Sequence, residues 1–163
     1  MCVGFTLGCW SGEQLLRMIA PPQIRAAKDF EIEWVNQRYD EVEFVHSVFE
    51  KEIIAIAEIG AQKAGLGRLV AVNKDSFELG GMYVLESFRG KGIAGEIVKF
   101  LLNHVKPDCT VYCIPFRHLV PFYERYGFSL CSDYANVPEK ILKKFQWCEG
   151  KYANPTSLLV LRK

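Results

Sequence analysis

The chain has 163 residues, a length that one domain with a buried core accounts for. Half of the residues are hydrophobic and 24% are charged, which is the composition of an ordinary globular protein. The formal net charge of +1 argues against a broad basic surface, and therefore against nucleic-acid binding that depends on neutralising phosphates. Any bound anion must be held by a local arrangement of residues.

The first 20 residues are predicted to be an N-terminal extension. Ser11 is the expected N-cap of a short helix that ends before Pro21. The apolar run before this helix is broken by glycines and has no basic residue ahead of Arg17, which makes it a poor signal peptide. No stretch of the chain approaches transmembrane length. We therefore expect a cytoplasmic protein that does not associate with membranes.

The six cysteines form no CxxC pair and lie at no spacing typical of a metal site with histidine. Several stand in apolar surroundings, as in "TVYCIPF", where cysteine serves as a small buried hydrophobic residue. The pattern predicts reduced thiols, with neither a disulfide framework nor a bound metal.

The first half of the chain predicts mainly strands. A short strand, "QIRAA", precedes an amphipathic helix, "FEIEWVNQRYDEV", that Asp29 is expected to cap. Three further strands are separated by short turns that are rich in glycine, asparagine and aspartate. They are Glu52 to Ile59, Leu66 to Val72, and Phe77 to Leu85. Such short turns predict an antiparallel meander.

The second half alternates helices with strands. A glycine-rich loop opens a helix that runs to about His104, and "CTVYCIP" follows as a buried strand. "HLVPFYERYGF" predicts a short helix stopped by Gly127, and "FSLCS" a strand. A helix near Pro138, "VPEKILKKFQWCEGKY", and a strand, "TSLLVL", close the chain. These elements predict one α+β domain, with a mixed, mostly antiparallel sheet and helices on both faces.

The loop in "ESFRGKGIAGEIVKFLL" places glycines and two cations where a helix must start. Residues 90–95 match G-x-G-x-x-G, but an antiparallel meander precedes them and "ESFR" separates them from the strand, unlike a Rossmann unit. The P-loop pattern is absent. Exposed N–H groups at a helix start, with Arg89 and Lys91 beside them, still favour an anion such as a pyrophosphate.

Two segments carry a family resemblance. "MYVLESFRGKGIAGEIV" resembles the acetyl-CoA signature of the GCN5-related N-acetyltransferases (GNAT), in which a strand ending in Val precedes R/Q-x-x-G-x-G/A. Arg89, Gly92 and Ala94 occupy those positions, and Val84 stands at the expected offset. "PFYERYGF" resembles the tyrosine-containing helix of the same family. The resemblance covers the chain except its first 20 residues, and it implies a GNAT-like fold in a single domain over residues 1–163.

The resemblance also implies acetyl-CoA as cosubstrate and an amine as acceptor. Backbone N–H groups of Met82, Tyr83 and Val84 would face the thioester, and Gly80-Gly81 suits a bulge beside them. Phe116 stands where the family often has an asparagine that touches the cofactor, so that contact is not expected here, and packing of the aromatic ring against pantetheine is the alternative. The implied cofactor-binding residues are Met82, Tyr83, Val84, Arg89, Gly90, Lys91, Gly92, Ile93, Ala94 and Phe116.

For catalysis, the resemblance places Tyr123 where the family has a tyrosine general acid. Glu78 is a candidate base, on the strand that leads to the loop and with the side-chain parity of Val84. Glu58 and His118 are further candidates, and each of the three also suits a purely structural role.

The acceptor pocket of the family comes from the first helices and the loop after them, here "WVNQRYDEVEFVHS". Arg38 and Tyr39 suit an anionic acceptor, whereas Glu41 and Glu43 suit a cationic one; a solvated helix face is the ordinary alternative. The leading function is N-acetylation of a small molecule or a peptide. Pairing of two copies at a sheet edge into a homodimer is left open. A non-catalytic acyl-CoA-binding regulatory domain is the main alternative, and a nucleotide-dependent oxidoreductase is a third.

Overall fold

In the computed structural model of the protein, residues 21–163 are described, and seven strands in them form one sheet. The strands are β1 (Gln23–Ala26), β2 (Glu52–Ile59), β3 (Gln62–Ala71), β4 (Ser76–Val84), β5 (Thr110–Cys113), β6 (Ser129–Leu130) and β7 (Leu159–Arg162). Their order in the sheet is β1-β2-β3-β4-β5-β7-β6, and all neighbours are antiparallel except β4 and β5. The predicted mixed, mostly antiparallel sheet is confirmed.

Four α-helices in the described part of the chain pack on this sheet. They are α1 (Ile32–Asp40), α2 (Ile93–Asn103), α3 (Val120–Glu124) and α4 (Glu139–Lys151). Helix α3 is shorter than predicted, because a 3₁₀ turn (Arg117–Leu119) occupies the first part of the predicted helix. The helix ends at Glu124, and the turn after it ends at Gly127, whose φ is +89°. Strand β3 begins earlier than predicted, since Gly60 and Ala61 alone make the turn from β2.

The helices lie on both faces of the sheet, as predicted. On one face, α2 and α3 bury a large core that includes Leu79, Ile97 and Val111. On the other face, α1 packs over β2 and β3 around Val35, and α4 packs over β5 and β7 around Ile141. The sheet therefore separates two packed layers.

Strand β4 diverges from β5 halfway along its length. Only Ser76–Leu79 pair with β5, in register with Thr110–Cys113, whereas β4 continues beside β3 as far as Val84. The edge of β4 from Gly80 onward is thus not paired with β5. This divergence opens the sheet at the centre of the domain.

A β-bulge lies at the point of divergence. Gly80 pairs with Arg68 and Tyr83 pairs with Leu66, so that Gly81 and Met82 together lie opposite one residue of β3. The φ of Gly81 is +59°, a conformation that a side chain would strain.

Tyr39 of α1 holds this bulge in place. The Tyr39 side chain is fully buried, and its hydroxyl donates a 2.9 Å hydrogen bond to the carbonyl of Gly81. A Cβ at Gly81 would lie 2.3 Å from that hydroxyl, so glycine is also required by space. The predicted bulge at Gly80-Gly81 is therefore present and anchored from α1.

The bulge reverses the side-chain alternation of β4. Leu79, Met82 and Val84 all contact the core under α2, whereas Tyr83 contacts the core under α1. Glu78 points away from the α2 layer and bonds to α4. The prediction that Glu78 shares the face of Val84 is therefore wrong, because an inserted residue shifts the two-residue period by one.

Three further findings concern residues 21–163 only. Their four cysteines are free thiols, and no cluster of histidine, cysteine or acidic side chains is arranged to hold a metal. None of their helices combines the length and apolarity that crossing a bilayer demands. The predicted helix after Ser11 lies outside the described residues.

Candidate active site

Two connected hollows lie where the sheet opens. The first, called here the wide cleft, has a volume of about 1060 Å³ and is bounded by the end of β4, the loop into α2, and α3. The second, the inner cavity, has a volume of about 160 Å³ and is bounded by β4, the loop after β5, and α4. Five residues line both hollows, and Tyr123 is the one of them with an ionisable side chain. The five are Phe44, Met82, Phe116, Leu119 and Tyr123.

The loop between β4 and α2 forms one wall of the wide cleft. Gly90 and Gly92 each have a φ of +76°, and a Cβ at either position would meet open space within 4 Å. Glycine is therefore required at both positions by the backbone conformation and not by crowding. Gly92 directly precedes α2, whose first N–H groups have no intrahelical acceptor and face an anion favourably.

The two cations of the loop have different positions. The Arg89 Nε donates a 3.1 Å hydrogen bond to the Val84 carbonyl, and Arg89 lines the wide cleft. The Lys91 Nζ lies 5.2 Å from the centroid of the Phe88 ring, and Lys91 does not line the cleft. Arg89 is therefore the loop cation that the fold brings to the wide cleft.

Of the residues predicted to bind a cofactor, all except Lys91 line the wide cleft. They are Met82, Tyr83, Val84, Arg89, Gly90, Gly92, Ile93, Ala94 and Phe116. The Phe116 ring is stacked on the His118 ring at a centroid distance of 6.0 Å, which leaves an aromatic wall where the family often has an amide.

Tyr123 lies between the two hollows. Its side chain is 4% exposed and packs edge-to-face on Phe122 and Phe128. Burial raises the pKa of the Tyr123 hydroxyl well above its usual range, and the neighbouring Cys113 thiol adds to this shift. The hydroxyl therefore keeps its proton at neutral pH and remains able to donate it.

Glu78 lines the inner cavity and does not line the wide cleft. Its side chain is buried and accepts a hydrogen bond from the Lys144 ammonium of α4. The Glu78 carboxylate therefore faces the inner cavity on the side of the sheet opposite to α2. The geometry therefore separates Glu78 from the loop but brings it to the same cavity as Tyr123.

The remaining predicted candidates divide between the two hollows and the rest of the fold. Glu58 forms a 2.6 Å ion pair with Arg25 at the far edge of the sheet and lines neither hollow. His118 lines the wide cleft. Arg38 pairs with Glu41 at 2.8 Å, and Glu41 also accepts a hydrogen bond from the Tyr83 hydroxyl, which raises the pKa of Tyr83.

Several lining residues were not predicted from the sequence. Arg68 of β3 is 5% exposed and lines the inner cavity; it donates to Ser47 Oγ at 2.9 Å and lies 3.5 Å from a Glu52 oxygen. Lys144 and Trp147 reach the same cavity from α4. Their spacing of three on a helix was a usable signal, but the sequence does not show which element α4 faces.

Solved structures share this fold. The Rv2747 protein of Mycobacterium tuberculosis, in complex with CoA and NLQ, has a TM-score of 0.66 and 16% identity, over 86% of this chain and 99% of its own. Naa50 of Arabidopsis thaliana, in complex with the bisubstrate analogue CoA-Ac-MVNAL, has a TM-score of 0.65 and 12% identity, over 88% and 100%. A sequence model described as the acetyltransferase (GNAT) domain matches residues 50–130, from just before β2 to the end of β6. The chain contains a GNAT acetyltransferase domain.

Another solved relative of this GNAT protein is larger. N-acetylglutamate synthase from Neisseria gonorrhoeae, complexed with coenzyme A and L-arginine, has a TM-score of 0.66 and 14% identity; the match covers 88% of this chain but 33% of that one. The sequence has no significant match among curated proteins. At 12–16% identity these structures establish the GNAT fold, and the roles of individual side chains must be argued from this chain.

Proposed function

We propose that this GNAT protein is an acetyl-CoA-dependent N-acetyltransferase that transfers the acetyl group to an amine of a small molecule or a peptide by direct attack. The observation that carries the proposal is the position of Tyr123, a buried phenol with a raised pKa at the junction of the wide cleft and the inner cavity. A proton donor at such a junction suits the transfer of a group from one hollow to the other.

The wide cleft fits coenzyme A in size and in chemistry. Its volume of about 1060 Å³ suits a long, flexible ligand, and its loop supplies main-chain N–H groups with no side chain at Gly90 or Gly92 to block close approach. Arg89 adds a cation at the same wall. When bound, acetyl-CoA supplies the acetyl group as a thioester.

The open edge of β4 suits the reacting carbonyl. From Gly80 onward this edge is unpaired with β5, so main-chain N–H groups of Met82, Tyr83 or Val84 on that side are available as donors. The bulge anchored by Tyr39 fixes these groups before any ligand binds. Donors held in advance stabilise the negative charge that develops on the carbonyl oxygen.

Glu78 and Tyr123 are the side chains that accept and donate the protons of the reaction. The amine nitrogen forms a bond to the carbonyl carbon and the carbon–sulfur bond breaks. Glu78 accepts the proton that the attacking nitrogen loses, directly or through a water molecule, and Tyr123 donates its proton to the leaving thiolate. Solvent then returns a proton to Tyr123 and removes one from Glu78, so the products are the N-acetyl amide and free CoA thiol.

We also propose the domain organisation and the cellular compartment of the enzyme. It acts as one domain over residues 1–163 with an N-terminal extension, and the free thiols of the described part suit a reducing cytoplasm. A homodimer through a sheet edge stays a prediction, with β1 and β6 as the outer strands of the described sheet.

A thiol-release assay tests the proposal. The protein is incubated with acetyl-CoA and a panel of polyamines, amino acids, arylalkylamines and peptides, while calorimetry measures acetyl-CoA uptake. Amine-dependent thiol release supports the enzyme. Uptake of acetyl-CoA without release for any amine indicates the regulatory domain instead, and thermal protection by NAD but not by acetyl-CoA indicates the oxidoreductase.

A further inference from the structure

Four aromatic side chains form one wall of the inner cavity. Tyr152 is the centre of this wall, and its ring meets three others edge-to-face: Phe116 at 5.4 Å, Trp147 at 6.0 Å and Phe44 at 6.4 Å between centroids. All four rings belong to residues that line the cavity. Such an arrangement offers ring faces and edges to a further aromatic group, which gains more there than from burial alone.

The volume of the inner cavity indicates the size of group that it holds. At about 160 Å³ it is close to cavities of roughly 150 Å³ that take up one benzene molecule. One aromatic ring is a close match to this space. The volume therefore favours a single six-membered ring.

The mouth of the cavity is apolar and exposed. Val45, Leu119 and Trp147 line the cavity and are 54%, 38% and 43% exposed, and they account for three of the seven large hydrophobic side chains that are exposed in residues 21–163. Exposed apolar side chains that gather at one place mark a site for an apolar ligand.

The charges around the cavity argue against a polyamine. Among the described residues, Glu78 is the one acidic side chain that lines the cavity, and Lys144 is already bound to it. Lys151 lies 4.9 Å from the Trp147 ring and 5.6 Å from the Tyr152 ring, so the chain itself supplies the cation that these rings attract. Further positive charges on the acceptor would face Lys144, Lys151 and Arg68 without partners.

The charges give no better support to an acidic acceptor. Arg68 lies 3.5 Å from Glu52 and donates to Ser47, and Lys144 bonds to Glu78, so each cation that lines the cavity already faces a carboxylate of the protein. A carboxylate of the acceptor would compete with these pairs. A ligand with one amine and no other charge fits best.

We propose that the acceptor is a primary arylalkylamine, with one aromatic ring against the Phe44, Phe116, Trp147 and Tyr152 wall and its amine toward Glu78. This assignment rests on the proposed function and narrows its substrate class. The amine then lies beside the opening of the sheet at Gly80, and the ring fills the outer part of the inner cavity.

The first test compares acceptors. We expect kcat/KM for 2-phenylethylamine to exceed the values for n-butylamine, spermidine and glutamate at least tenfold, the range that a hydrophobic pocket provides. A higher value for spermidine, for glutamate or for a peptide would overturn the arylalkylamine assignment and leave the N-acetyltransferase proposal intact.

The second test changes the wall. Trp147→Ala should lower kcat/KM for 2-phenylethylamine about tenfold or more, chiefly through KM, with a smaller loss for n-butylamine and little change in the KM for acetyl-CoA. The matched control is Tyr134→Ala, which removes an aromatic side chain that is 46% exposed and lines neither hollow. An unchanged preference in Trp147→Ala would overturn the assignment.

Calorimetry separates failure of the inference from failure of the proposed function. Binding of 2-phenylethylamine that requires Trp147, without thiol release for any amine, would contradict the transferase and support the ring site. Thiol release with other amines, without Trp147-dependent binding of 2-phenylethylamine, would support the transferase and contradict the ring site.

Discussion

Tyr123 combines two properties that rarely occur in one tyrosine without a functional reason. It is nearly fully buried, and it still lines both the wide cleft and the inner cavity. Burial disfavours the phenolate, so the raised pKa keeps the proton on the oxygen until a stronger base is generated beside it. A leaving thiolate formed in a dry site is such a base.

Tyr123→Phe removes this proton and leaves the ring. We expect kcat for thiol release to fall about 100-fold, the lower end of what general acids contribute. Affinity for acetyl-CoA should not change, since the loop and α2 are untouched. Because burial raises the pKa of Tyr123, the wild-type kcat should not fall through loss of its proton between about pH 6 and pH 9.

Tyr134→Phe serves as the control, since Tyr134 is exposed and lines neither hollow. If Tyr123→Phe retained full turnover at every pH tested, Tyr123 would have no part in proton transfer.

The catalytic role of Tyr123 stays a prediction, whereas the face of β4 predicted for Glu78 was wrong. The tyrosine lies in a short motif whose spacing is independent of strand register. The orientation of Glu78 depends on the bulge at Gly81, which alternation alone does not reveal. Gly80-Gly81 indicated a bulge, yet the sequence does not show that one residue is inserted between Glu78 and Val84.

The loop before α2 is the element on which the proposed cofactor site depends. It presents main-chain donors at a helix start, and its two left-handed glycines set their direction. Alanine tolerates that conformation poorly, at a cost of about 1 kcal/mol.

Gly92→Ala should therefore weaken acetyl-CoA binding roughly fivefold, because the loop must shift to relieve the strain. Within the protein the cause would be conformational, since a Cβ at Gly92 meets no protein atom within 4 Å, and the added methyl group would also reduce the close approach of the ligand to the loop. Calorimetric titration with acetyl-CoA measures the effect.

Gly150→Ala is the matched control. Gly150 lies in α4, a Cβ there also meets nothing within 4 Å, and its φ is not positive. This change should stabilise α4 by up to about 1 kcal/mol and leave binding unaltered. Equal binding by both variants would argue that the Gly92 conformation does not shape the site.

The elements themselves follow closely from local sequence. The β2 strand, the α2 helix and the α4 helix lie close to their predicted bounds, and one end of each is next to Gly60, Gly92 or Pro138. The divergence of β4 from β5 has no local signal, because it depends on partners distant in the sequence. The two hollows were therefore not predictable in shape, although most residues of the wide cleft were.

A cluster of charged side chains stabilises the sheet edge that is farthest from the proposed active site. The buried Glu31 carboxylate accepts hydrogen bonds from Arg25 at 2.7 and 2.8 Å and from the Lys28 N–H at 2.9 Å, and it pairs with Lys63 at 2.9 Å. These bonds, of which the one from Arg25 contributes most, hold the pKa of Glu31 well below its usual range. The cluster joins β1, β3 and the turn before α1.

Glu31→Gln should lower the free energy of unfolding by about 2 kcal/mol at pH 7, because it leaves two cations with fewer acceptors. The folded pKa lies below the unfolded value, so the stabilisation by Glu31 is present above pH 4.5 and is lost as the pH falls toward the folded pKa. The difference between wild type and variant should therefore shrink as the pH is lowered from about 5 to about 3.

Urea unfolding at several pH values provides the measurement. Glu139→Gln is the control, since Glu139 is 79% exposed and pairs only with the exposed Lys143 among the contacts described; its effect should be within about 0.5 kcal/mol. A difference that stays constant as the pH falls would show that the Glu31 charge is not what stabilises the edge.

The bulge in β4 has a consequence for how two reactants meet. The one extra residue reverses the alternation of side chains in the second half of β4, so residues a few positions apart on this strand line opposite sides of the sheet. Under the proposed function, donor and acceptor then have separate entrances and meet through a window between β4 and β5. Neither needs to depart before the other arrives, and no side chain has to carry the acetyl group from one to the other.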